Sequence, residues 1–155
     1  MSQLAEAQKS QRLEFVTLVA GGQNFCIEIK QIREIRRWTP VTVLPHSPDH
    51  VLGVINLRGA VIPIIDLAAK LGFAKITPTE RHVIIIIAVE DKIIGLLVES
   101  VSEILGVDAD NVRETPRSPE DMTTRAILGI IPLGDEMTKV ISLTALMAPS
   151  HPVAA

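Results

Sequence analysis

Residues 53–67 read Gly-Val-Ile-Asn-Leu-Arg-Gly-Ala-Val-Ile-Pro-Ile-Ile-Asp-Leu and decide how the chain is organised. Two apolar runs rich in Val and Ile flank one polar corner, Asn56-Leu57-Arg58-Gly59. Such runs on either side of Gly and Asn predict a β-hairpin or a sharp strand-to-strand corner. The corner would display Arg58, and Pro63, which lacks an N–H donor, would lie at a sheet edge or a barrel corner.

The sequence contains this pattern twice. A first hairpin, with Phe15 and Phe25, aligns with a second one at Val83 and Ile93, a shift of 68 residues. Glu34-Ile35 aligns with Glu103-Ile104 at a shift of 69, and the central stretch returns at a shift of 76. The positions that recur in the central stretch are Gly53, Ile55, Leu57, Ile65 and Leu67, which match Gly129, Ile131, Leu133, Ile141 and Leu143.

An internal repeat of short strands predicts an all-β fold with short helices. Two small closed barrels of five strands each are favoured over one open sheet, because closure removes exposed sheet edges. Asp66 is a candidate N-cap for a short helix over Leu67 to Leu71 that stops at Gly72. Ser142 is its counterpart and would open the last helix, which runs to Met147.

Several shorter elements are predicted in the first half of the chain. Gly21-Gly22-Gln23-Asn24 predicts a hairpin loop somewhat longer than the minimum. The spacing of Ile29, Ile32 and Ile35 suggests a helical turn that leads into a strand through Ile35-Arg36. Val41 to Leu44 alternates like a short strand, and Ser47-Pro48-Asp49 has the signature of a brief helix start.

Composition narrows the class of protein. The chain has 155 residues, of which 47% are hydrophobic but only 3% aromatic, so Ile, Val and Leu must fill the core. The net charge of -3 and the pI near 5.8 give no overall attraction to nucleic acid or anionic membrane. No signal peptide or membrane-spanning run is visible, and Cys26 has no partner for an internal disulfide. These features predict a cytoplasmic protein.

The domain boundaries follow from the repeat. Residues 1–12 are expected to be a disordered leader and 149–155 a tail, with one domain over 13–148. The first barrel would span about 13–73 and the second about 81–148, which leaves open an exchange of strands between them. A longer, polar insertion falls around 107–125 in the second copy.

Catalytic and metal-binding signatures are absent from the sequence. His46 and His50 are four residues apart, but Pro45 and Pro48 interrupt any helix, so a solvated loop explains them better. Cys26 alternates with apolar neighbours and is interpreted as a core residue. Asp66 needs no role beyond its cap.

The stretch 53–67, together with Glu34-Ile35-Arg36, closely resembles the family of chemotaxis coupling proteins named CheW. The resemblance covers nearly the whole chain. It implies two five-stranded SH3-like barrels on a shared apolar core, and a non-catalytic adaptor with no cofactor and no metal. The implied partners are the signalling tip of a chemoreceptor and the regulatory domain of the histidine kinase CheA. Contact with the membrane would be indirect, through recruitment to receptor arrays.

The resemblance also assigns a receptor-binding site on the first barrel, and leaves the kinase-binding residues unassigned. We further hypothesise that the carboxylate of Glu34 holds the Arg58 guanidinium in a fixed fork. The corner of the second copy has no arginine, so one barrel alone would contact the receptor. The implied receptor-binding residues are Ile29, Ile32, Glu34, Asn56 and Arg58.

Alternatives to this function remain open at the level of the sequence. A coupling protein of a pilus-motility or other non-flagellar chemosensory system would carry the same motifs. The kinase CheA would add an ATP-binding domain, and a CheV-type protein would add a receiver domain. Both therefore fit this sequence less well. Outside this family, Arg33, Arg36 and Arg37 with Trp38 suggest a small barrel that binds nucleic acid, although the negative net charge and the few aromatic residues argue against it.

Overall fold

The computed structural model describes residues 11–114 and 125–148, and this part of the chain is mostly β-structure. Two short α-helices accompany the strands, α1 (Leu67–Lys70) and α2 (Leu143–Met147), along with 3₁₀ turns at Ile29–Gln31 and Ala109–Asn111. The predicted all-β class is therefore confirmed. The strands are β1 (Arg12–Ala20), β2 (Gln23–Glu28), β3 (Ile32–Arg37), β4 (Val51–Leu57), β5 (Ala60–Asp66), β6 (Val83–Val89), β7 (Lys92–Val98), β8 (Ser100–Asp108), β9 (Ile127–Leu133) and β10 (Glu136–Ile141).

The strands form two five-stranded sheets, and each sheet takes strands from both halves of the sequence. Sheet A has the order β8-β1-β2-β10-β9, and sheet B has the order β3-β6-β7-β5-β4. The barrels are therefore not the contiguous segments 13–73 and 81–148, and the exchange of strands that the sequence left open is present. The first hairpin, β1-β2, has crossed into the sheet of the second copy, and β6-β7 has crossed into that of the first.

Two parallel strand pairs place each exchanged hairpin and define the register of the repeat. Cys26 on β2 pairs with Val140 on β10, and Gly95 on β7 pairs with Ile64 on β5. Cys26 and Gly95 are thus equivalent, so the hairpins align at a shift of 69 residues rather than 68. The predicted match of Phe25 with Ile93 is wrong, because Phe25 is fully buried whereas Ile93 is 40% exposed.

In the part of the chain that the structure describes, three apolar clusters form the core, one shared between the sheets and one within each. The shared cluster joins Leu18 and Phe25 of sheet A to Ile85 and Leu96 of sheet B. Sheet B encloses a second cluster around Ile64, and sheet A a third around Cys26. Because the central cluster draws on both sheets, burial of apolar surface couples the two subdomains.

The glycines that recur in the two central stretches are explained by a close backbone approach. A Cβ at Gly53 would lie 2.4 Å from the carbonyl oxygen of Thr42, and one at Gly129 would lie 2.7 Å from that of Arg113. The carbonyls belong to isolated bridges, Thr42 with Val54 and Arg113 with Ile130. The same contact therefore recurs in both subdomains, and it leaves no room for a side chain.

Both predicted N-caps are present. Asp66 Oδ1 accepts a hydrogen bond from the N–H of Ala69 at 3.2 Å, and Ser142 Oγ accepts one from Ala145 at the same distance. Asp66 is fully buried, and its Oδ2 also accepts from the N–H of Ile76 at 2.8 Å. One carboxylate thus starts α1 and ties down the chain that leads to β6.

Several local predictions were wrong near turns and prolines. The first hairpin closes through two residues, Gly21-Gly22, both at positive φ, and not through a longer loop. Only Thr42 of the expected strand Val41 to Leu44 joins a ladder. No helix follows Ser47, whose hydroxyl instead donates to the carbonyl of Leu44, because β4 already begins at Val51.

Pro63 lies on an interior strand rather than at an edge. Strand β5 is placed between β4 and β7, but its pairing with β7 begins only at Ile64. Pro63 pairs with Val54 on the β4 side. Its missing N–H therefore falls where the neighbouring strand has not yet joined the ladder, which is compatible with proline.

The chain ends lie largely outside the described residues. Residues 1–10 of the expected leader and the expected tail, 149–155, are not among them. Arg12, which was placed in the leader, begins β1, and Gln11 accepts a backbone hydrogen bond from Ala109. Of the expected insertion around 107–125, the first residues complete β8 and a 3₁₀ turn, and 115–124 fall outside the described part.

Candidate functional site

The corner between β4 and β5 is a two-residue turn that projects Arg58. Arg58 and Gly59 have φ values of 51° and 87°, the pattern of a type I′ hairpin turn. Asn56 Oδ1 accepts a hydrogen bond from the N–H of Gly59 at 3.0 Å, which fixes the turn from within. The Asn-Leu-Arg-Gly sequence therefore has a local explanation, in which Asn and Gly build the turn and Arg is its exposed residue.

Strand β3 supplies the second half of the site through a β-bulge. The pairing of β3 with β6 shifts between Ile32 and Glu34, so Arg33 is the additional residue. After the bulge, Glu34 and Arg36 share the half-buried face of the strand, while Ile35 and Arg37 are exposed. The bulge thus sets which side chains of β3 turn towards the β4-β5 corner.

The carboxylate of Glu34 binds two arginines at once. Its Oε1 lies 2.6 Å from Nη2 of Arg58, and its Oε2 lies 3.2 Å from Nη1 of Arg36. The approach of Glu34 to Arg58 predicted from the sequence is confirmed. The expected fork is not, because the second carboxylate oxygen is occupied by Arg36.

This ion triad joins the two ends of sheet B. Strands β3 and β4 are the outer strands of that sheet, with three strands between them, and Arg58 directly follows β4. The Glu34–Arg58 contact therefore closes the sheet on itself at one end. The side chain of Arg58 is 73% exposed, against 29% for Glu34 and 33% for Arg36, so Arg58 is the outward-facing member.

The arginines also set the ionisation of Glu34. The hydrogen bond from Arg58 is the largest cause that lowers the pKa of Glu34 below its usual value, and the positive charges of Arg58 and Arg36 act in the same direction. Desolvation opposes this shift but is outweighed. Glu34 is therefore ionised at neutral pH.

The other predicted site residues occupy different positions. Ile29 lies in the 3₁₀ turn before β3 and is half-buried. Ile32 begins β3 and packs against the core cluster shared by the two sheets. Asn56 is exposed beside the corner. The structure brings Glu34, Asn56 and Arg58 together at one corner, and Ile32 connects that corner to the core.

Arg36 is the member of the site that the sequence reasoning missed. In the sequence it stands out as part of the basic run with Arg33 and Arg37. The signal was present, since residues i and i+2 of a strand share one face, but the bulge at Arg33 could not be located from the sequence. Unless the position of the bulge is known, the sequence does not tell which face of β3 points towards Arg58.

The remaining candidates have structural explanations. Cys26 is completely buried, and burial raises the pKa of its thiol to about 12, so it is a core residue as predicted. Trp38 is half-buried and packs against the inner cluster of sheet B, so part of its ring belongs to the core. Within residues 11–114 and 125–148, no group of three or more His, Cys, Asp and Glu side chains is arranged to hold a metal ion.

Comparison with known proteins places the chain in a family. The family model described as CheW-like domain matches residues 14–150. The chain belongs to the CheW family. The probable chemotaxis protein CheW of Rhizobium etli is 47% identical over 92% of each chain, and the chemotaxis protein CheW of Rhizobium meliloti is 43% identical over 86% of each.

A less similar relative and a solved structure agree with this placement. The crystal structure of the scaffolding protein TtCheW from Thermoanaerobacter tengcongensis superposes with a TM-score of 0.81 at 27% identity, covering 90% of this chain and 94% of that one. Protein FrzA of Myxococcus xanthus is 30% identical over 64% of this chain and 67% of its own. The CheW-like fold and the chemotaxis family are thus established. None of the helices in the described ranges has the length and apolar character that a membrane span requires.

Proposed function

We propose that the protein is a non-catalytic adaptor that couples the signalling tip of a chemoreceptor to the histidine kinase CheA. The observation that carries this proposal is the Glu34–Arg58 pair, displayed on an exposed corner of a chain that belongs to the CheW family. The receptor-binding residues are proposed to be Ile29, Ile32, Glu34, Asn56 and Arg58. In this role the protein is recruited to receptor arrays and touches the membrane only through the receptors.

The difference between the two subdomains supports a single receptor site in each molecule. The position equivalent to Arg58 in the second copy is Gly134, which occupies the turn between β9 and β10. Glu103 is the counterpart of Glu34, but it has no arginine opposite it at that turn. Among the described residues, the repeated fold therefore carries the ion triad in one subdomain alone.

Exposed apolar side chains favour a second, protein-binding surface for the kinase. Val43 is 73% exposed and Val61 is 67% exposed, and Leu44 adds to the apolar area. These side chains belong to sheet B or to the segment that enters it. A barrel-to-barrel contact with the regulatory domain of CheA would cover these side chains. Ile104, Leu128 and Met137 are exposed to a similar degree on sheet A, so exposure by itself does not assign the kinase-binding residues.

Charge reversal at the corner tests the receptor site. We expect Arg58→Glu and Glu34→Arg to melt near the wild-type temperature, because ion pairs at a surface contribute little to stability. Both should still bind the kinase and fail in receptor-stimulated kinase activity. The double reversal restores the ion pair with opposite polarity. Recovery of part of the coupling would show that the receptor requires the pair itself, and no recovery would show that it requires the positive charge at position 58.

Glu103→Arg is the matched control, because it makes the same reversal at the equivalent strand position of the other subdomain. It should leave coupling unchanged. Normal coupling by Arg58→Glu, or unfolding of this variant, would show that the corner is structural and would contradict the proposed receptor site.

A second candidate function is coupling in a non-flagellar chemosensory system, such as one for pilus motility. It is favoured by the similarity to Protein FrzA, a relative that does not carry the chemotaxis name. Purification from the native lysate decides between the candidates through the identity of the receptors and the kinase that accompany the protein. Recovery of neither a receptor nor a kinase would contradict both.

A further inference from the structure

The ion triad has one member, Glu34, that is engaged through both of its oxygens, and one, Arg58, that is open to a partner. Both carboxylate oxygens of Glu34 already accept from a guanidinium, Oε1 from Arg58 and Oε2 from Arg36. Glu34 is also the more buried of the pair. The group that this corner offers to an approaching protein is therefore the guanidinium of Arg58 and not the carboxylate.

Arg58 retains most of its donor capacity. A guanidinium has five N–H donors arranged in a plane, and within the described residues Arg58 makes its hydrogen bond to Glu34 through Nη2 alone. The remaining donors belong to a side chain that is largely exposed. Two parallel N–H donors of this kind match the two oxygens of a carboxylate.

Arg36 decides the charge of the corner. Glu34 and Arg58 by themselves would be neutral, and an incoming carboxylate would meet the negative charge of Glu34 next to the arginine. The second guanidinium balances Glu34, so that the triad carries one net positive charge. Arg36 also holds Oε2, which leaves Oε1 to orient Arg58.

We infer that the corner is a carboxylate-binding site, in which Arg58 binds an acidic side chain of the receptor tip and Arg36 is the positioning residue that makes the site positive. The inference rests on the proposed function and adds the chemistry of the partner residue. It also assigns a role to a residue outside the proposed receptor-binding set. Attraction of this kind affects both the rate and the strength of association.

The chain offers matched controls on the same strand. Arg33, Arg36 and Arg37 all belong to β3, but within the described residues only Arg36 forms an ion pair. Arg33→Gln and Arg37→Gln remove the same unit of charge from the exposed side of the strand. Arg36→Lys keeps the charge and loses the planar guanidinium.

The first experiment measures binding of the full-length variants to the cytoplasmic fragment of a receptor that the wild type binds, at low and high salt. Arg36→Gln and Arg58→Gln should each weaken binding about tenfold or more at low salt, and the loss should shrink at high salt. Arg33→Gln and Arg37→Gln should change it by less than about threefold. Arg36→Lys should bind with a large part of the wild-type affinity, because it keeps the positive charge. If Arg36→Gln fails to fold, the affinity of Arg36→Lys tests the role of Arg36 in its place.

The second experiment identifies the partner by double-mutant cycles. Each Asp and Glu of the receptor tip is changed singly to its amide and measured against wild type and Arg58→Gln. One of them should weaken binding to the wild type yet add no further loss to Arg58→Gln. If no acidic residue couples to Arg58, the carboxylate site is wrong.

Three other outcomes overturn the inference. Equal losses of affinity in Arg33→Gln, Arg36→Gln and Arg37→Gln would show that the receptor is attracted by the total positive charge of the strand and not by a specific site. Binding by Arg36→Gln at wild-type strength would remove the role of Arg36 while leaving the proposed function intact. Failure of the wild type to bind any chemoreceptor fragment would overturn the proposed function, and the inference with it.

Discussion

Glu34 shows at the scale of single residues how the site is held together. The carboxylate lies between two guanidinium groups, and its pKa is lowered mainly by the hydrogen bond from Arg58. A lowered pKa means that the paired, ionised form persists as the pH falls below the usual value of 4.5. Its contribution to stability is complete above that pH and disappears as the pH falls through the value in the folded protein.

Titration of the Glu34 carboxyl carbon by NMR tests this account. Arg58→Gln should raise the pKa of Glu34 towards its usual value, and Arg36→Gln should raise it by less, because the Arg58 hydrogen bond is the larger cause. Arg33→Gln serves as the control and should move it least. A pKa of Glu34 that is the same in Arg58→Gln and wild type would contradict the pairing.

Cys26 gives a second prediction at this scale. It lies in the inner cluster of sheet A with its thiol pKa raised to about 12 by burial, so the reactive thiolate is suppressed. We expect alkylation by iodoacetamide to be very slow in the native protein at neutral pH. It should become rapid in denaturant, and fast labelling of the native protein would show that β2 is not packed as described.

The two helix starts show at the scale of elements how equivalent caps differ in consequence. Asp66→Ala removes the cap of α1 and leaves the N–H of Ile76 without its acceptor, so it should lower the free energy of unfolding by about 2 kcal/mol or more. Ser142→Ala removes the cap alone and should cost about 1 kcal/mol. Denaturant unfolding gives both values.

Hydrogen exchange separates the two roles of Asp66. The amide of Ile76 should exchange faster in Asp66→Ala, whereas in Ser142→Ala it should keep its protection because α2 lies elsewhere in the chain. Equal destabilisation by the two substitutions, with no change at Ile76, would mean that the second hydrogen bond of Asp66 contributes nothing.

At the scale of the whole molecule, the exchange of hairpins makes each half of the chain incomplete. Residues 1–78 hold β1 to β5, and 79–155 hold β6 to β10, so neither fragment contains a full sheet. The shared core is also built from both. We expect each fragment alone to lack a cooperative unfolding transition, and the two mixed together to regain one.

Calorimetry and far-ultraviolet spectra of the separate and mixed fragments make this test. Two independent barrels over 13–73 and 81–148 would behave in the opposite way, with each fragment folding by itself. Cooperative unfolding of either isolated fragment would therefore argue against the exchanged arrangement as the source of stability.

The sequence by itself determined the features that depend on neighbouring residues. Turn chemistry predicts the turn Asn56-Leu57-Arg58-Gly59, and capping preferences predict the caps at Asp66 and Ser142. Runs of β-branched residues predict the hairpins β1-β2 and β6-β7. The family resemblance also directed attention to Glu34 and Arg58. Local errors occurred where prolines or early strand starts shortened an element, as at Val41 to Leu44 and after Ser47.

Only the tertiary structure decided which strands pair and which charges meet. The crossing of β1-β2 and β6-β7 between sheets, the interior position of Pro63 and the place of Arg36 beside Glu34 all depend on strands that are far apart in the sequence. Periodicity tells which face of a strand is apolar but not which neighbour it has. Burial of the shared core selects which strands pair. That pairing places Arg36, on an outer strand of sheet B, in the candidate site.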